Sequence, residues 1–191
     1  IEKNHIFYTS SDSEVLLHGF EEWGPELLNK LRGMFAFAIW NRKDKSLFLA
    51  RDFFGIKPLH YAKIGDNFVY GSEIKSIISF PTFEKKFNYK ALDNYLSFQY
   101  VVPPETFFEG VYCLLPGHYL WYKDGQVTTE RYFEPKFHPD ENMTLEQATD
   151  KIEKVFENSV NAHKISDVEV GCFLSSGVDS SYVSSYFEGQ K

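Results

Sequence analysis

The stretch MFAFAIWNRKDKSLFLAR, residues 34–51, contains two apolar runs separated by a short charged segment. The first run, residues 34–40, is apolar throughout, which is typical of a strand that is covered on both faces. Residues 41–45, four of which are charged, predict a turn, and the run from Ser46 to Arg51 predicts a second strand. The stretch therefore predicts a hairpin, and with it an antiparallel sheet.

The residues before this hairpin predict helices. Ser11 and Glu14 have the spacing of a capping box, in which two side chains bind backbone N–H groups at a helix start. Pro25 begins a second short helix that ends near Leu31, because a proline in the first turn loses no hydrogen bond. The apolar residues of the first helix recur at helical spacing: Val15, Leu16, Phe20 and Trp23.

Further strands and one helix follow the hairpin. Asp124 and Gly125 mark the clearest second hairpin, because Asp-Gly supplies the positive φ angles that a two-residue turn requires. A helix is expected from Asn88. We therefore predict an α+β domain, with antiparallel sheets layered with helices. The additional strands are predicted over residues 59–63, 67–71, 118–123 and 126–132.

Downstream, the pattern changes to a helix, a strand, a loop and a second helix. Thr144 and Gln147 form another capping box ahead of the first of these helices. Residues 168–174 predict the strand, and the second helix is expected from about Ser180. The sequence therefore predicts two domains of different class, residues 1–138 and residues 139–191, the second opening with a linker.

Composition excludes several classes of function. The net charge of −7 and the absence of an arginine cluster argue against nucleic acid as a partner. No apolar run is long enough to span a membrane. Cys113 and Cys172 lie in apolar surroundings, which predicts buried free thiols and a reducing cytoplasm. The six histidines show no metal-ligand spacing, so each is expected to be structural or solvated.

The loop FLSSGVDSS, residues 173–181, has four serines close to Gly177 and follows the end of the predicted strand. Ligands bind at this end of parallel strands, and a helix N-terminus attracts phosphate. Asp179 would repel phosphate unless a divalent cation lay between them, so Mg²⁺ is expected there. The alternative is an ordinary turn in which Asp179 or Ser180 caps the helix.

This loop resembles the pyrophosphate loop of ATP pyrophosphatases, and the preceding residues resemble the glutaminase domain of asparagine synthetases. The resemblance implies a partial N-terminal-nucleophile glutaminase followed by the start of an α/β ATP-pyrophosphatase domain. Ser176 stands where the family usually has glycine, and it would be strained if that position requires a positive φ. The blocks that carry the resemblance run in family order: SDSEVLL (11–17), GMFAFA (33–38), RDFFGIKPL (51–59), SEIK (72–75), Pro116-Gly117, and Ser166-Asp167-Val168 before the loop.

The resemblance also implies an activity. The parent enzyme would make asparagine from aspartate, ATP and glutamine-derived ammonia, through a β-aspartyl adenylate, with release of AMP and pyrophosphate. Asp12 would pair with the α-amino group of glutamine. Asp179 would bind Mg²⁺, directly or through phosphate. The ATP and pyrophosphate site is expected at Phe173, Leu174, Ser175, Ser176, Gly177, Val178, Asp179 and Ser180.

The family's nucleophile is an N-terminal cysteine, which would lie upstream of Ile1. The chain is therefore expected to be a piece of a longer protein and inactive by itself, since Cys113 is interior and has no terminal amine. The expected partners are small molecules, with neither nucleic acid nor membrane, and the full-length protein is expected in the cytoplasm as a homodimer. Arg51 and Asp52 are expected to form a strand-end ion pair, and residues 72–75 an interface with the synthetase domain.

Two alternatives to asparagine synthesis remain open. One is a related amidotransferase that amidates another carboxylate or closes a lactam. The other is a non-catalytic paralogue that serves as a binding or regulatory module.

Overall fold

A computed structural model describes residues 5–187 of the chain. The chain divides into two compact units, Ile1–Lys136 and Phe137–Lys191. Each unit has its own secondary structure and its own packing.

The first unit contains three α-helices, a 3₁₀ helix and seven strands. The helices are α1 (Asp12–Trp23), α2 (Ile74–Ile78) and α3 (Tyr89–Phe98), and the 3₁₀ helix spans Gly24–Lys30. The strands are β1 (Ala36–Asn41), β2 (Ser46–Arg51), β3 (His60–Ile64), β4 (Asn67–Gly71), β5 (Val111–Cys113), β6 (His118–Lys123) and β7 (Gln126–Arg131).

These strands form two sheets in which every neighbouring pair is antiparallel. The strand order is β1-β2-β6-β7 in the four-stranded sheet and β4-β3-β5 in the three-stranded sheet. The α+β class predicted from the sequence is therefore confirmed. The second predicted hairpin is confirmed too, because Asp124 and Gly125 have φ angles of 50° and 76° between β6 and β7.

The strand β2 is covered on both faces. Leu47 and Leu49 on one face pack with Leu120 in one core cluster, whereas Phe48 on the other face packs with Leu28 of the 3₁₀ helix in a second cluster. Double coverage was predicted for the preceding strand and is confirmed, because Ala38 packs against the first cluster and Phe37 and Ile39 pack against the second. Because β1 lies at the edge of its sheet, it is only partly buried.

The core clusters define the layers of the first unit. Side chains of both sheets, such as Leu49 and Tyr61, pack together between the sheets. On the outer face of the three-stranded sheet, Ala62 and Val111 pack against Ile77 of α2. The unit is therefore a helix–sheet–sheet–helix sandwich.

The second unit contains α4 (Leu145–His163) and α5 (Val178–Ser185). The predicted capping box is present, since Thr144 and Gln147 bind each other's backbone N–H groups. The ring of Phe156 on α4 lies 4.5 Å from that of Tyr182 on α5. This aromatic contact joins the two helices.

The predicted strand over residues 168–174 is absent, although all of these residues are described. A strand needs a neighbour that pairs its N–H and C=O groups. Within residues 137–187 the chain forms no strand that could pair with the segment, so the segment forms no strand either.

In the part of the chain that the structure describes, no helix has both the length and the apolar character needed to cross a membrane.

Candidate functional site

Asp12 is the first residue of α1, and it is exposed to solvent. The Ser11 side chain caps the helix by accepting a hydrogen bond from the Ser13 N–H at 3.2 Å. The Ser13 hydroxyl lies 3.4 Å from Asp12 Oδ1. Among the described residues, no ion pair involves Asp12, so its carboxylate is available to a cationic group of a ligand.

Glu14 holds the segment that leads into α1. Its carboxylate accepts hydrogen bonds from the N–H groups of Tyr8 at 2.8 Å and Thr9 at 2.7 Å, and from the Thr9 hydroxyl at 2.6 Å. The predicted capping box therefore does not form, because the Ser11 side chain accepts from the Ser13 N–H and not from that of Glu14, and the Glu14 carboxylate binds Tyr8 and Thr9 and not the Ser11 N–H. The Thr9 hydroxyl, followed by the Tyr8 N–H, lowers the pKa of Glu14 to about 2.

Arg51 and Asp52 do not form the predicted surface ion pair. Both are buried, with 9% and 1% of their surface exposed, and no ion pair in the described part of the chain joins them. A strand end that is packed between layers shields both groups from water. Each side chain instead binds backbone groups.

The guanidinium of Arg51 connects three separate backbone carbonyls. It donates to the oxygens of Lys57 at 2.8 Å, Gly55 at 2.7 Å and Leu114 at 2.6 Å, and it lies 3.0 Å from Cys113 Sγ. Leu114 is 63 residues away in sequence. Arg51 therefore fixes the loop after β2 against the segment after β5.

The buried carboxylate of Asp52 binds backbone N–H groups of the same loop. Its carboxylate accepts hydrogen bonds from the N–H groups of Phe54, Ile56 and Lys57 at 3.2, 3.0 and 2.9 Å. Burial acts to raise the pKa of Asp52, but these backbone N–H groups outweigh it and hold the pKa below its usual value. The RDFFGIKP segment is therefore a structural clamp built by its first two residues.

The two cysteines differ from the expectation of buried thiols. Both are free. Cys113 is partly buried beside Arg51, and burial raises the pKa of its thiol. Cys172, in contrast, is exposed, because the segment around it lacks a strand partner within the second unit.

The segment of residues 72–75 lies at the surface of the first unit. Glu73 and Lys75 form an exposed ion pair at 2.6 Å, and the Ser72 carbonyl lies 3.1 Å from His60 Nδ1. None of these contacts tests the predicted interface role, which stays a prediction.

The predicted phosphate loop is exposed in the second unit. Ser176 has a φ of 61°, so the position does adopt the left-handed conformation that glycine favours. Holding serine there costs about 1–2 kcal/mol. The helix cap is Gly177, not Asp179 or Ser180 as the alternative interpretation required.

Serine hydroxyls lie together at the start of α5. The Ser175 and Ser180 hydroxyls are 3.0 Å apart, and the Ser180 hydroxyl also donates to the Gly177 carbonyl at 3.1 Å. No side chain caps the first turn of α5, and Asp179 lies in that turn. The loop therefore presents hydroxyls, uncapped N–H groups and one carboxylate to solvent.

The other predicted loop residues are also accessible. Phe173, Leu174 and Val178 expose 100%, 65% and 86% of their surface. An apolar side chain gains nothing from full exposure, so these residues are available to a further surface or ligand.

Sequence spacing missed one cluster in the first unit. The imidazoles of His5 and His18 and the carboxylate of Glu21 offer ligand atoms that all lie within 4.8 Å of one another. The sequence showed no metal-ligand spacing among the histidines, so this spatial grouping was not predicted. The signal was weak because His5 and His18 are 13 positions apart and only one of them is in the helix.

The comparisons with known proteins agree with this architecture. The family model of the glutamine amidotransferase domain matches residues 1–133. The chain therefore belongs to the glutamine amidotransferase family. Residues 151–191 match the family model of asparagine synthase.

Curated relatives share both parts. The chain is 42% identical over 185 residues to the glutamine-hydrolysing asparagine synthetase 1 of Bacillus subtilis, covering 95% of this chain and 28% of the relative. It is 34% identical over 190 residues to synthetase 3 of the same organism, covering 98% of this chain and 30% of the relative. The chain thus spans less than a third of the length of these relatives.

A solved structure shows a partial likeness. The glutamine phosphoribosylpyrophosphate amidotransferase of B. subtilis, complexed with ADP and GMP, is 24% identical with a TM-score of 0.44. The aligned region covers 69% of this chain and 25% of that structure.

Proposed function

We propose that the full-length protein is a glutamine-hydrolysing asparagine synthetase. The observation that carries the proposal is the order of the two family matches, in which a glutamine amidotransferase domain precedes the start of an asparagine synthase domain in one chain. The cytoplasm is proposed as its compartment, because two cysteines in 191 residues do not form the disulfide framework typical of secreted domains.

The proposed reaction has two halves. In one half, glutamine is hydrolysed to glutamate and ammonia. In the other, the side-chain carboxylate of aspartate attacks the α-phosphorus of ATP and displaces pyrophosphate, which gives a β-aspartyl adenylate. Ammonia then attacks the activated carbonyl and displaces AMP, so that asparagine is formed. Adenylation is needed because oxide is a poor leaving group, whereas AMP is a good one.

Asp12 is proposed to bind the α-amino group of glutamine. Its carboxylate is exposed at the first position of α1 and has no cationic partner among the described residues. Glu14 supports this role indirectly, because its three hydrogen bonds to Tyr8 and Thr9 fix the segment that enters the helix. A charge-assisted hydrogen bond of this kind contributes about 1.5–3 kcal/mol.

The loop of residues 173–180 is proposed to bind ATP through its pyrophosphate. Uncapped N–H groups at the start of α5 and the hydroxyls of Ser175 and Ser180 provide donors for phosphate oxygens. The left-handed φ of Ser176 turns the chain sharply before the helix, as a phosphate-binding loop requires. The backbone at Phe173 and Leu174 is proposed to contact the adenine ring of ATP.

Asp179 is proposed to hold Mg²⁺, directly or through phosphate. The fit is chemical: the exposed donors at the loop are a carboxylate and hydroxyls, and oxygen ligands of this type suit Mg²⁺. When it is bound, Mg²⁺ neutralises phosphate charge. Without a cation, the Asp179 carboxylate would repel the same phosphates that the hydroxyls attract.

Two substitutions in the full-length protein test the site assignment. Asp12→Asn is expected to lower kcat/KM for glutamine roughly 10- to 150-fold, which is the kinetic equivalent of the lost contact, while synthesis from free ammonia is retained. Asp179→Asn is expected to abolish synthesis from either nitrogen source, while glutamine hydrolysis continues. Asp150→Asn, at an exposed position on α4, is the control and should behave like the parent.

The opposite pattern decides against the assignment. If Asp179→Asn makes asparagine from ammonia at the parental rate, the loop is an ordinary turn and not an ATP site. If Asp12→Asn slows both nitrogen sources equally, Asp12 has no selective role in glutamine binding.

A further inference from the structure

The cluster of His5, His18 and Glu21 has no role in the proposed reaction. The two imidazole rings are 4.6 Å apart, and both side chains are more than four-fifths buried. Glu21 is exposed on the outside of the cluster. Two imidazoles and a carboxylate form a ligand set that zinc sites commonly use.

Two of the three spacings between the ligand atoms suit a tetrahedral ion, and all three atoms lie within 4.8 Å of one another. Zinc binds imidazole nitrogen and carboxylate oxygen at about 2.0–2.2 Å, so two ligands of one tetrahedral ion lie roughly 3.3–3.5 Å apart. Glu21 Oε2 lies 3.5 Å from His18 Nδ1 and 3.7 Å from His5 Nδ1. These distances exceed those of good hydrogen bonds but are close to the edges of a zinc tetrahedron.

His18 lacks the hydrogen bonds that a buried imidazole normally makes. Both of its ring nitrogens are shielded from solvent, and neither has a hydrogen-bond partner among the described residues. Buried polar atoms without hydrogen-bond partners are uncommon, and each of these nitrogens has a carboxylate oxygen at 3.5 Å as its neighbour. A metal ion would satisfy one of the two nitrogens directly.

The second nitrogen of His18 faces a carboxylate. Its Nε2 lies 3.5 Å from Oε1 of Glu14, which is itself held by Tyr8 and Thr9. Metal-bound histidines usually turn their other N–H group towards a carboxylate, which fixes the tautomer. Glu14 therefore suits the Nε2–H tautomer, which leaves the Nδ1 lone pair directed at Glu21 and His5.

We propose that His5, His18 and Glu21 bind a zinc ion that fastens the segment of residues 5–9 to α1. The ion would add a cross-link between His5, which precedes the helix, and two residues within it. The segment leads directly into Asp12, so the cross-link would also stabilise the helix start.

The test is a zinc titration of the purified 191-residue chain after treatment with a chelator. We expect one zinc ion to bind per chain. Substitution of His18 or His5 by glutamine is expected to raise the dissociation constant at least about tenfold, because each change removes one ligand. His138→Gln, at an exposed position in the second unit, is the matched control and should bind like the parent.

One further variant and two further measurements test whether the zinc is bound at this cluster. Glu21→Gln alters an exposed side chain and should weaken zinc without affecting folding, so it replaces His18→Gln if that variant does not fold. Cobalt(II) should give a visible spectrum without a thiolate charge-transfer band, because no cysteine is proposed as a ligand. Zinc should also raise the urea midpoint of the parent, but not that of Glu21→Gln.

Several outcomes would overturn the proposal. They are the absence of stoichiometric zinc binding, an affinity unchanged by both His5→Gln and Glu21→Gln, or a cobalt thiolate band that disappears in Cys172→Ser. The last outcome would assign the metal to the exposed thiol of the second unit.

Discussion

Replacement of Arg51 by lysine should destabilise the first unit although the positive charge is kept. Arg51 uses three nitrogens in different directions to reach the carbonyls of Lys57, Gly55 and Leu114. A lysine has a single nitrogen and can reach only one of these carbonyls. The substitution therefore leaves two carbonyls without their partner.

The magnitude follows from the environment of those carbonyls. A buried polar group that loses its partner costs about 1–3 kcal/mol, so two of them would cost about 2–6 kcal/mol. The hydrogen bonds to Gly55 and Lys57 are only partly buried, and water can therefore replace part of what is lost there. The bond to Leu114 is buried and has no such substitute. We expect a net loss of about 2–4 kcal/mol in the free energy of unfolding.

Urea unfolding followed by tryptophan fluorescence is the appropriate assay. All three tryptophans, Trp23, Trp40 and Trp121, are in the first unit, so the signal reports that unit alone. Arg42→Lys, at the exposed turn between β1 and β2, is the control and should stay within about 0.5 kcal/mol of the parent. An Arg51→Lys midpoint equal to that of this control would refute the account of the clamp.

Three other predictions concern the backbone and acid stability. Gly117→Ala should destabilise the first unit by about 1–3 kcal/mol more than Gly65→Ala in urea unfolding, because both have positive φ but only at Gly117 would a Cβ meet a backbone oxygen, at 2.8 Å. Ser176→Gly should relieve about 1–2 kcal/mol of strain, offset by about 0.5–1 kcal/mol of added chain entropy, so thermal unfolding of the second unit followed by circular dichroism should occur at a slightly higher temperature. The pKa of Glu14 is about 2 in the folded chain and 4.5 in the reference state, so its stabilisation is complete above pH 4.5 and is lost as the pH falls towards 2. The Glu14→Gln variant should lack this acid-dependent component in urea midpoints measured across that range, and equal pH profiles for parent and variant would contradict the assignment.

Local sequence rules predicted the elements whose stabilising contacts are close in sequence. The Asp124-Gly125 turn and the Thr144 capping box depend on residues within three positions of one another, and both are present. The hairpin of β1 and β2 was likewise predicted from alternating runs of apolar and charged residues.

The predictions that failed, and the histidine cluster that was not predicted, depend on residues far apart in the chain. The partner of Arg51 at Leu114 is 63 positions away, so no local pattern could separate a buried clamp from a surface ion pair. The cluster of His5 and His18 depends on how the segment before α1 folds back onto that helix. The strand over residues 168–174 failed for a related reason, because its sequence favours a strand but pairing requires a neighbour.

The structure of the phosphate loop was predicted only in part. Its sequence predicted the turn into a helix, and the resemblance raised the question of strain at Ser176. Only the backbone geometry answered that question, with a φ of 61°.

The most direct test of the proposed function is product analysis with the full-length protein. The enzyme would be incubated with aspartate, Mg²⁺-ATP and glutamine labelled with ¹⁵N in its side-chain amide, and the products identified by mass spectrometry. The proposal predicts asparagine that carries the ¹⁵N label, with one AMP and one pyrophosphate released for each asparagine. Formation of AMP that does not depend on aspartate but requires another carboxylate, or no AMP with any nitrogen source, would contradict it.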